Sequence, residues 1–424
     1  MRLFFPWVSM VALCAADNSF WPQWRGPFFN GVAQGQAPVS WTADKNIVWK
    51  TSIPGRGHST PIVWGGRIFL TTATPLAAVR GSGRGRGQEV AGGADHKLQV
   101  MCLDRRTGKV IWEQTARVVT PHEGYHAGYG SFASHSPATD GKLVYASFGS
   151  RGIFVYDLDG KLVWSKSFPP ANMRFGHGEG IAPVLAGDRL ILSADSEDNS
   201  NITVLDKHTG KELWRQKRDE PSAWSNPLVV RFNGRDQVIV AATNKVRSYD
   251  LETGKLIWEC AGLGSNVIPA PVEKDGIVFV MSGHQNQNMM AIKLGAEGDL
   301  TGTKSILWTN AKGNPYTPSP VLAGDELYLL TDTGQLSCFN AKTGEAHYKQ
   351  QRLHRHYGFK ASPVAANGKL YLASEDGDVV VMKMGVKFEV LATNSIPDEM
   401  FIASPVILDG AIYLRGRNAV YCVR

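Results

Sequence analysis

Short apolar runs separated by Gly and Asp turns recur along the whole chain. One example is Val406-Ile407-Leu408, the turn Asp409-Gly410, Ala411-Ile412-Tyr413-Leu414 and then Ala419-Val420-Tyr421-Cys422-Val423. Runs of this length, bounded in this way, predict short antiparallel β-strands, and no segment sustains the 3.6-residue period of a helix. A small or polar residue followed by proline opens each group of strands, at Pro61, Pro137, Pro183, Pro227, Pro271, Pro320, Pro363 and Pro405. The spacings are 76, 46, 44, 44, 49, 43 and 42 residues. All but the first lie near the length of a four-stranded propeller blade, and the first unit carries an insertion.

A second marker fixes the phase. An Asp or Asn precedes a turn and an aromatic residue at Asp104 to Trp112, Asp157 to Trp164, Asp206 to Trp214, Asp250 to Trp258 and Asn340 to Tyr348. The aromatic residue ends a fourth, outer strand and is large enough to fill the gap between neighbouring sheets. Blade seven lacks the marker around Lys387 to Leu391.

The ends of the repeat argue for a ring. The 19 residues after Pro405 suffice for three strands but not for the fourth, and residues 45–53, containing Trp49, form an orphan fourth strand. Trp49 lies 12 residues before Pro61, matching Trp214, Trp258 and Trp308, which lie 13, 13 and 12 residues before their next prolines. The expected fold is all-β: an eight-bladed β-propeller of four-stranded antiparallel blades, closed by an N-terminal strand that completes the last blade and hides its edge.

Composition adds limits. With 43% hydrophobic and 20% charged residues the chain reads as an ordinary globular protein, and its net charge of +7 is spread along it. The one basic cluster, Arg80 to Arg86, sits inside the insertion of blade one and is expected to be a solvated loop, so no nucleic-acid partner is expected. Residues 1–16 carry one positive charge, a mostly apolar run and small residues before Asp17, which predicts a signal peptide followed by a single domain over 17–424. No other apolar run is long enough for a membrane span. A lipid on Cys14 would anchor the chain, but Leu13 stands where a small residue is expected, which weighs against it. A periplasmic or secreted monomer is expected. Cys102, Cys338 and Cys422 fall at equivalent third-strand positions of different blades; they and Cys260 are expected to be small buried hydrophobes rather than disulfides.

His122-Glu123-Gly124-Tyr125-His126 fits the zinc-protease pattern, but Pro121, Gly124, Gly128 and Gly130 deny it the helix that the pattern needs. More informative are the polar residues just before the blade-opening prolines. First strands line the channel of a propeller, so the residues entering them ring one mouth. His58, Ser59, His135, His177, Glu179, Trp224, Asn226 and Lys360 are the candidate ligand-binding residues on this basis. Asn286, Gln287 and Asn288, after His284, form a further polar loop in blade five.

With the repeat phased, Cys102-x-Asp104-x-x-Thr107-Gly108-x-x-x-Trp112 and its echoes resemble the tryptophan-docking motif of the pyrroloquinoline-quinone (PQQ) family of eight-bladed propellers. Trp21-Pro22-Gln23-Trp24-Arg25-Gly26-Pro27, Gly57-His58-Ser59-Thr60-Pro61 and Trp224-Ser225-Asn226-Pro227 resemble the secreted PQQ-like repeat proteins of environmental bacteria. That family is similar to quinoprotein alcohol dehydrogenases and to BamB, the lipoprotein of the outer-membrane assembly complex. The dehydrogenase resemblance implies PQQ and calcium, held by adjacent disulfide-bonded cysteines, a stacking tryptophan, oxygen ligands and an aspartate base. By blade position Glu179 and Asn226 are the candidate metal ligands and Trp224 the stacking surface, but no two cysteines are adjacent and no Asp stands where the base would be. The reading preferred from sequence is therefore a non-catalytic binding or scaffold protein of the cell envelope with a protein or peptide partner. A PQQ- and calcium-dependent dehydrogenase of alcohols or sugars, and a small-molecule or glycan sensor, are its alternatives.

Overall fold

A computed structural model describes residues 20–77, 89–90 and 93–424. Residues 1–16, expected to be a signal peptide and including Cys14, and the Arg80 to Arg86 run lie outside the described residues. Eight sheets, each of at least four strands, form the blades of an all-β propeller. Helix is confined, among the described residues, to the 3-10 turn Arg174–Gly176. Blade 1 comprises Ile62–Trp64, Arg67–Pro75, His96–Asp104 and Val110–Val119 in antiparallel order, and its neighbours repeat the plan. Closure follows the sequence expectation. Ile47–Ser52 pairs antiparallel with Ala419–Val423, placing Trp49 opposite Cys422 as the outer strand of blade 8.

The recurring Asp-to-Trp signature joins three blades. Its aspartate orders the turn: Asp104 Oδ1 accepts bonds from both the backbone N–H and the hydroxyl of Thr107, each at 2.7 Å. The turn then receives the tryptophan of the preceding blade. Trp49 of blade 8 donates its indole N–H to the Arg105 carbonyl at 3.1 Å, and Trp112 of blade 1 donates to that of Leu158 at 2.9 Å. Trp164, Trp214 and Trp308 do the same to Lys207, Leu251 and Ala341 in the next blades. The glycine is required at this point: Gly108 has φ +72, and a Cβ there would stand 2.6 Å from the Trp49 ring.

Three junctions are built differently; in one of them Tyr348 of blade 6 takes the tryptophan position and packs edge-on against Phe388 of blade 7, ring centroids 5.7 Å apart. Blade 5 has no Asp-Thr-Gly turn, and Trp258 of blade 4 donates within its own blade, to Gln237 Oε1 at 3.2 Å. Its outer strand is covered instead by Gly298–Asp299, paired in parallel. Blade 7 carries Ala392 opposite Val381, where the regular blades have tryptophan. Trp41, 3% exposed, joins the core shared by blades 7 and 8. Its backbone N–H donates to Asn394 Oδ1 at 2.7 Å, Asn394 Nδ2 donates to the Val39 carbonyl, and Tyr371 donates to the Ala37 carbonyl. The stretch before the closing strand thus supplies the aromatic ring that blade 7 lacks.

The core is distributed between blades, as in the cluster uniting Ile191 and Val204 of blade 3 with Val238 and Tyr249 of blade 4. Cys102, Cys260, Cys338 and Cys422 are buried, unpaired members of such packing, and burial pushes Cys102 and Cys338 up to about 12.

Candidate functional site: a blind channel mouth

The residues before the blade-opening prolines form a hydrogen-bonded belt around the channel. At six of the eight junctions the backbone N–H donates to the side chain at the same position in the next blade. The bonds are Thr60 to Ser136 Oγ, Ala182 to Asn226 Oδ1, Ala270 to Ser319 Oγ, Ser319 to Ser362 Oγ, Ser362 to Ser404 Oγ and Ser404 to Thr60 Oγ1, at 2.8, 3.4, 2.9, 2.9, 3.1 and 3.1 Å. At the two remaining junctions the acceptor position holds Ala182 or Ala270, which have no such group. A preproline residue is held extended, outside the strand ladder, so its N–H needs this partner. The belt explains why a small polar residue recurs before proline.

Above the belt lies a cavity of about 200 Å³ that touches every blade. Its floor is the N-terminal segment. Phe20–Trp21 pairs with Val63 and Trp64 of blade 1, and Val32–Ala33 runs parallel to Ala365 and Ala366 of blade 7, so the intervening residues cross the channel. Trp24 lines the cavity and bonds Ser404 Oγ at 3.4 Å. Arg25, 2% exposed, donates to the carbonyls of Pro320, Pro363 and Asn30. The channel is therefore closed below the mouth.

Six of the eight sequence candidates, His58, His177, Glu179, Trp224, Asn226 and Lys360, line this cavity. Ser59 does not: it is fully buried, and Arg415 donates to its hydroxyl and, at 3.0 Å, to its carbonyl. His135 turns aside into a cleft of about 70 Å³ between blades 2 and 3, which it shares with Ser193 and Asp195. The residue after a blade-entering turn can face either the mouth or the neighbouring blade, and neither composition nor spacing separates these.

The groups that do converge are held in place. Glu179 accepts from Ser150 N at 2.7 Å, Ser150 Oγ at 2.7 Å and Arg151 Nη1 at 3.2 Å. Both ends of the Asn226 amide are taken by the backbone of Ala182. Trp224 donates to the Gly178 carbonyl at 2.8 Å, which fixes its ring and leaves it half-buried at the cavity wall. Lys360 lies 3.2 Å from Asp332 Oδ1 and 3.8 Å from Glu375 Oε2, and Asp332 also accepts the N–H groups of Tyr316 and Thr317. His58 is buried with its Nε2 unpartnered; burial and the charges of Arg56, Arg415 and Arg417 hold it well below the usual imidazole range. Burial, then His177 and Lys360, brings His126 down to about 4, so both rings are neutral at pH 7.

Sequence reasoning missed Trp24, Tyr129 and Tyr316 on the wall. Tyr129 stacks on His126 with ring centroids 3.7 Å apart and carries Lys360 Nζ 4.9 Å from its centroid. Its segment is the zinc-like one. Tyr125–His126 is a short strand paired with Glu89–Val90, His122 Nε2 sits 3.0 Å from the Ala171 carbonyl, and Glu123 accepts Met173 N at 2.9 Å. The two histidines thus serve different neighbours and share no helix face. Calcium takes six to eight oxygens, and the oxygens of Glu179 and Asn226 are already committed, so these residues do not fit calcium as they stand.

The family described as Outer membrane protein assembly factor BamB, a PQQ-repeat family, matches residues 96–350 and 301–387. This chain belongs to that family. BamB of Escherichia coli K12 is 26% identical over 208 residues, covering 47% of this chain and 48% of that protein. The chain thus spans about half the length of that relative. BamB of Burkholderia pseudomallei is 22% identical over 313 residues, covering 70% and 68%. Tetrathionate hydrolase of Acidithiobacillus ferrooxidans is 21% identical, with 70% and 54% covered. Among solved structures, BamB from Moraxella catarrhalis superposes with a TM-score of 0.55 at 13% identity, covering 84% of this chain and 99% of its own. Quinohemoprotein alcohol dehydrogenase from Comamonas testosteroni superposes with 0.63 at 12% identity, covering 95% and 80%. These identities establish a shared propeller and leave activity to the site itself.

Proposed function

We propose that this PQQ-like propeller is a non-catalytic binding or scaffold protein of the cell envelope, exported by residues 1–16 and acting as a monomer. In this reading the loops around the channel mouth engage a protein or peptide partner. The observation that carries it is the state of the mouth groups. The carboxylates of Glu179 and Asp332 are each held by three donors, and the nearby imidazoles of His58 and His126 are neutral but poorly exposed. A base or metal ligand would first have to break its own network, at a cost of about 1–3 kcal/mol for each buried bond. BamB relatives support an envelope partner, and among the described residues no helix is long and apolar enough to cross a membrane.

The loop 121–134 is the natural contact element. It projects over the mouth, and Arg56 fastens it through the carbonyls of Ala127 and Gly128 at 2.7 and 3.3 Å. Affinity capture from envelope extract, with wild type beside an Arg56→Ala variant of unchanged melting temperature, tests this. A partner enriched by the wild type and lost by the variant is expected. Equal recovery from both, or turnover of an alcohol with PQQ and calcium added, would overturn it in favour of the quinoprotein reading.

A further inference from the structure

Tyr316 lines both the mouth cavity and a second cavity. The second, about 210 Å³, lies between blades 5 and 6, and its walls include Gln287, Asn314, Thr331, Thr333, Gln335 and Gln350. Its wall is rich in amides and hydroxyls, whereas that of the mouth is rich in aromatic rings. Trp24 and Trp224 line the mouth with their indole N–H groups engaged, and Arg25 lies over the Trp24 ring with its Cζ 5.9 Å from the centroid, so Trp224 offers the freer ring. Tyr316 is held by its own backbone N–H on Asp332 and by the His284 ring, whose centroid is 4.9 Å away.

Charge narrows the ligand further. Lys360 is matched by Asp332 and Glu375, and Glu179 by Arg151, so neither cavity wall offers an unmatched cation or carboxylate from these residues. A phosphate, a polycarboxylate or an ammonium ligand would have to displace an internal ion pair. A ligand with apolar C–H faces and many hydroxyls meets no such penalty. Its faces pack on Trp224 and Tyr316, and its hydroxyls find the remaining hydrogen-bonding capacity of Gln287, Gln335, Gln350, Thr331 and Thr333, where Gln350 already bonds Gln335 and Thr331 bonds Thr333. Each cavity alone falls below the usual size of a drug-like pocket, roughly 300 Å³, so an extended ligand lying in both is the better match.

We propose that the mouth and the blade 5–6 cleft together bind a neutral oligosaccharide, lying across Tyr316. This inference does not rest on the scaffold reading, which concerns the rim loops and a protein partner.

The experiment titrates the full-length purified protein with neutral hexaoses of glucose, in α-1,4, β-1,4 and β-1,3 linkage, and of N-acetylglucosamine, with oligogalacturonate as the anionic control. Tryptophan fluorescence and calorimetry report binding. At least one neutral hexaose is expected to bind saturably and change the tryptophan signal. Trp224→Ala is expected to weaken it about tenfold or more, roughly the 1.4 kcal/mol that a decade of affinity represents. Gln335→Ala, outside the aromatic mouth, is expected to weaken hexaose more than disaccharide, which a purely structural role would not do. Unchanged melting of Gln335→Ala keeps the test valid should Trp224→Ala fold poorly. No saturable binding of any neutral hexaose at about 10 mM, binding of the anionic control alone, or binding indifferent to both substitutions would overturn the proposal. Capture of a protein partner by rim loops would survive each of those outcomes.

Discussion

Removing the Trp49 side chain tests how the ring is closed. The residue is 9% exposed, packs against Tyr413 with centroids 6.1 Å apart, and reaches across to blade 1 through the Arg105 carbonyl. Truncating a buried tryptophan to alanine costs about 3–5 kcal/mol, of which the lost indole bond is about 1 kcal/mol. Since a whole domain is stable by only ~5–15 kcal/mol, Trp49→Ala should remove a large fraction of the margin. The control is Trp258→Ala. Trp258 is 1% exposed, yet its indole bonds within its own blade, so the change should cost a similar amount without freeing the closure strand. Urea denaturation gives the magnitude and hydrogen exchange the location. Trp49→Ala should lower protection in Ile47–Ser52 and Ala419–Val423 selectively, whereas Trp258→Ala should leave both strands protected. Trp49→Phe, keeping most of the ring, should cost about 1–2 kcal/mol. A loss below about 1 kcal/mol for Trp49→Ala, or unchanged exchange in the two strands, would refute closure through this contact.

Three further outcomes follow from the same geometry. In the belt, Ser362→Ala strands the Ser319 N–H and should cost about 1–3 kcal/mol, whereas Ala270→Ser supplies a missing acceptor and should gain about 0.5–1 kcal/mol; thermal melts with opposite signs check this. His135 is held down to about 3 by burial and Arg151, and His126 to about 4, while unfolded histidine titrates near 6.5. The unfolded chain therefore binds more protons below that pH, so stability should be full above about pH 6.5 and fall between there and pH 4, by up to about 1.4 kcal/mol per pH unit for a buried histidine. His135→Gln should flatten that slope in pH-dependent urea titrations if it folds. With thiols raised to about 11 or 12 and buried, Cys102, Cys260 and Cys338 should resist a thiol reagent at pH 8 until denaturant is added, and rapid labelling of the native protein would contradict the packing.

The ring was legible in the sequence because its two markers have separate physical causes. The Asp-Thr-Gly turn must cap itself and admit a neighbour's tryptophan, and the preproline residue must find a partner for its N–H. Each requirement restricts residue type once per blade, so each shows as a period. The plug was not legible in this way. Trp21 to Ala33 occurs once, and its contacts, such as Arg25 with the carbonyls of Pro320 and Pro363, join residues some 300 positions apart with no repeat to expose them. The same holds for Trp41, whose role becomes visible only when the gap at Ala392 is seen to need filling. At the mouth, blade position brought His58, His177, Glu179, Trp224, Asn226 and Lys360 together, since entry to a first strand fixes radius and height in the ring. It could not fix the direction of a side chain, which is why Ser59 and His135 belong to the packing between blades.

Site-specific photo-crosslinking in intact cells is the most direct measure of whether this mouth is a binding face. A photoreactive residue replaces Tyr129 at the mouth in one variant, and Leu256 on the outer wall, 49% exposed, in another. A discrete protein adduct from position 129, absent from position 256, is the predicted result. Adducts from the outer wall alone, or none from the mouth while the purified protein oxidises an alcohol with PQQ and calcium, would contradict it.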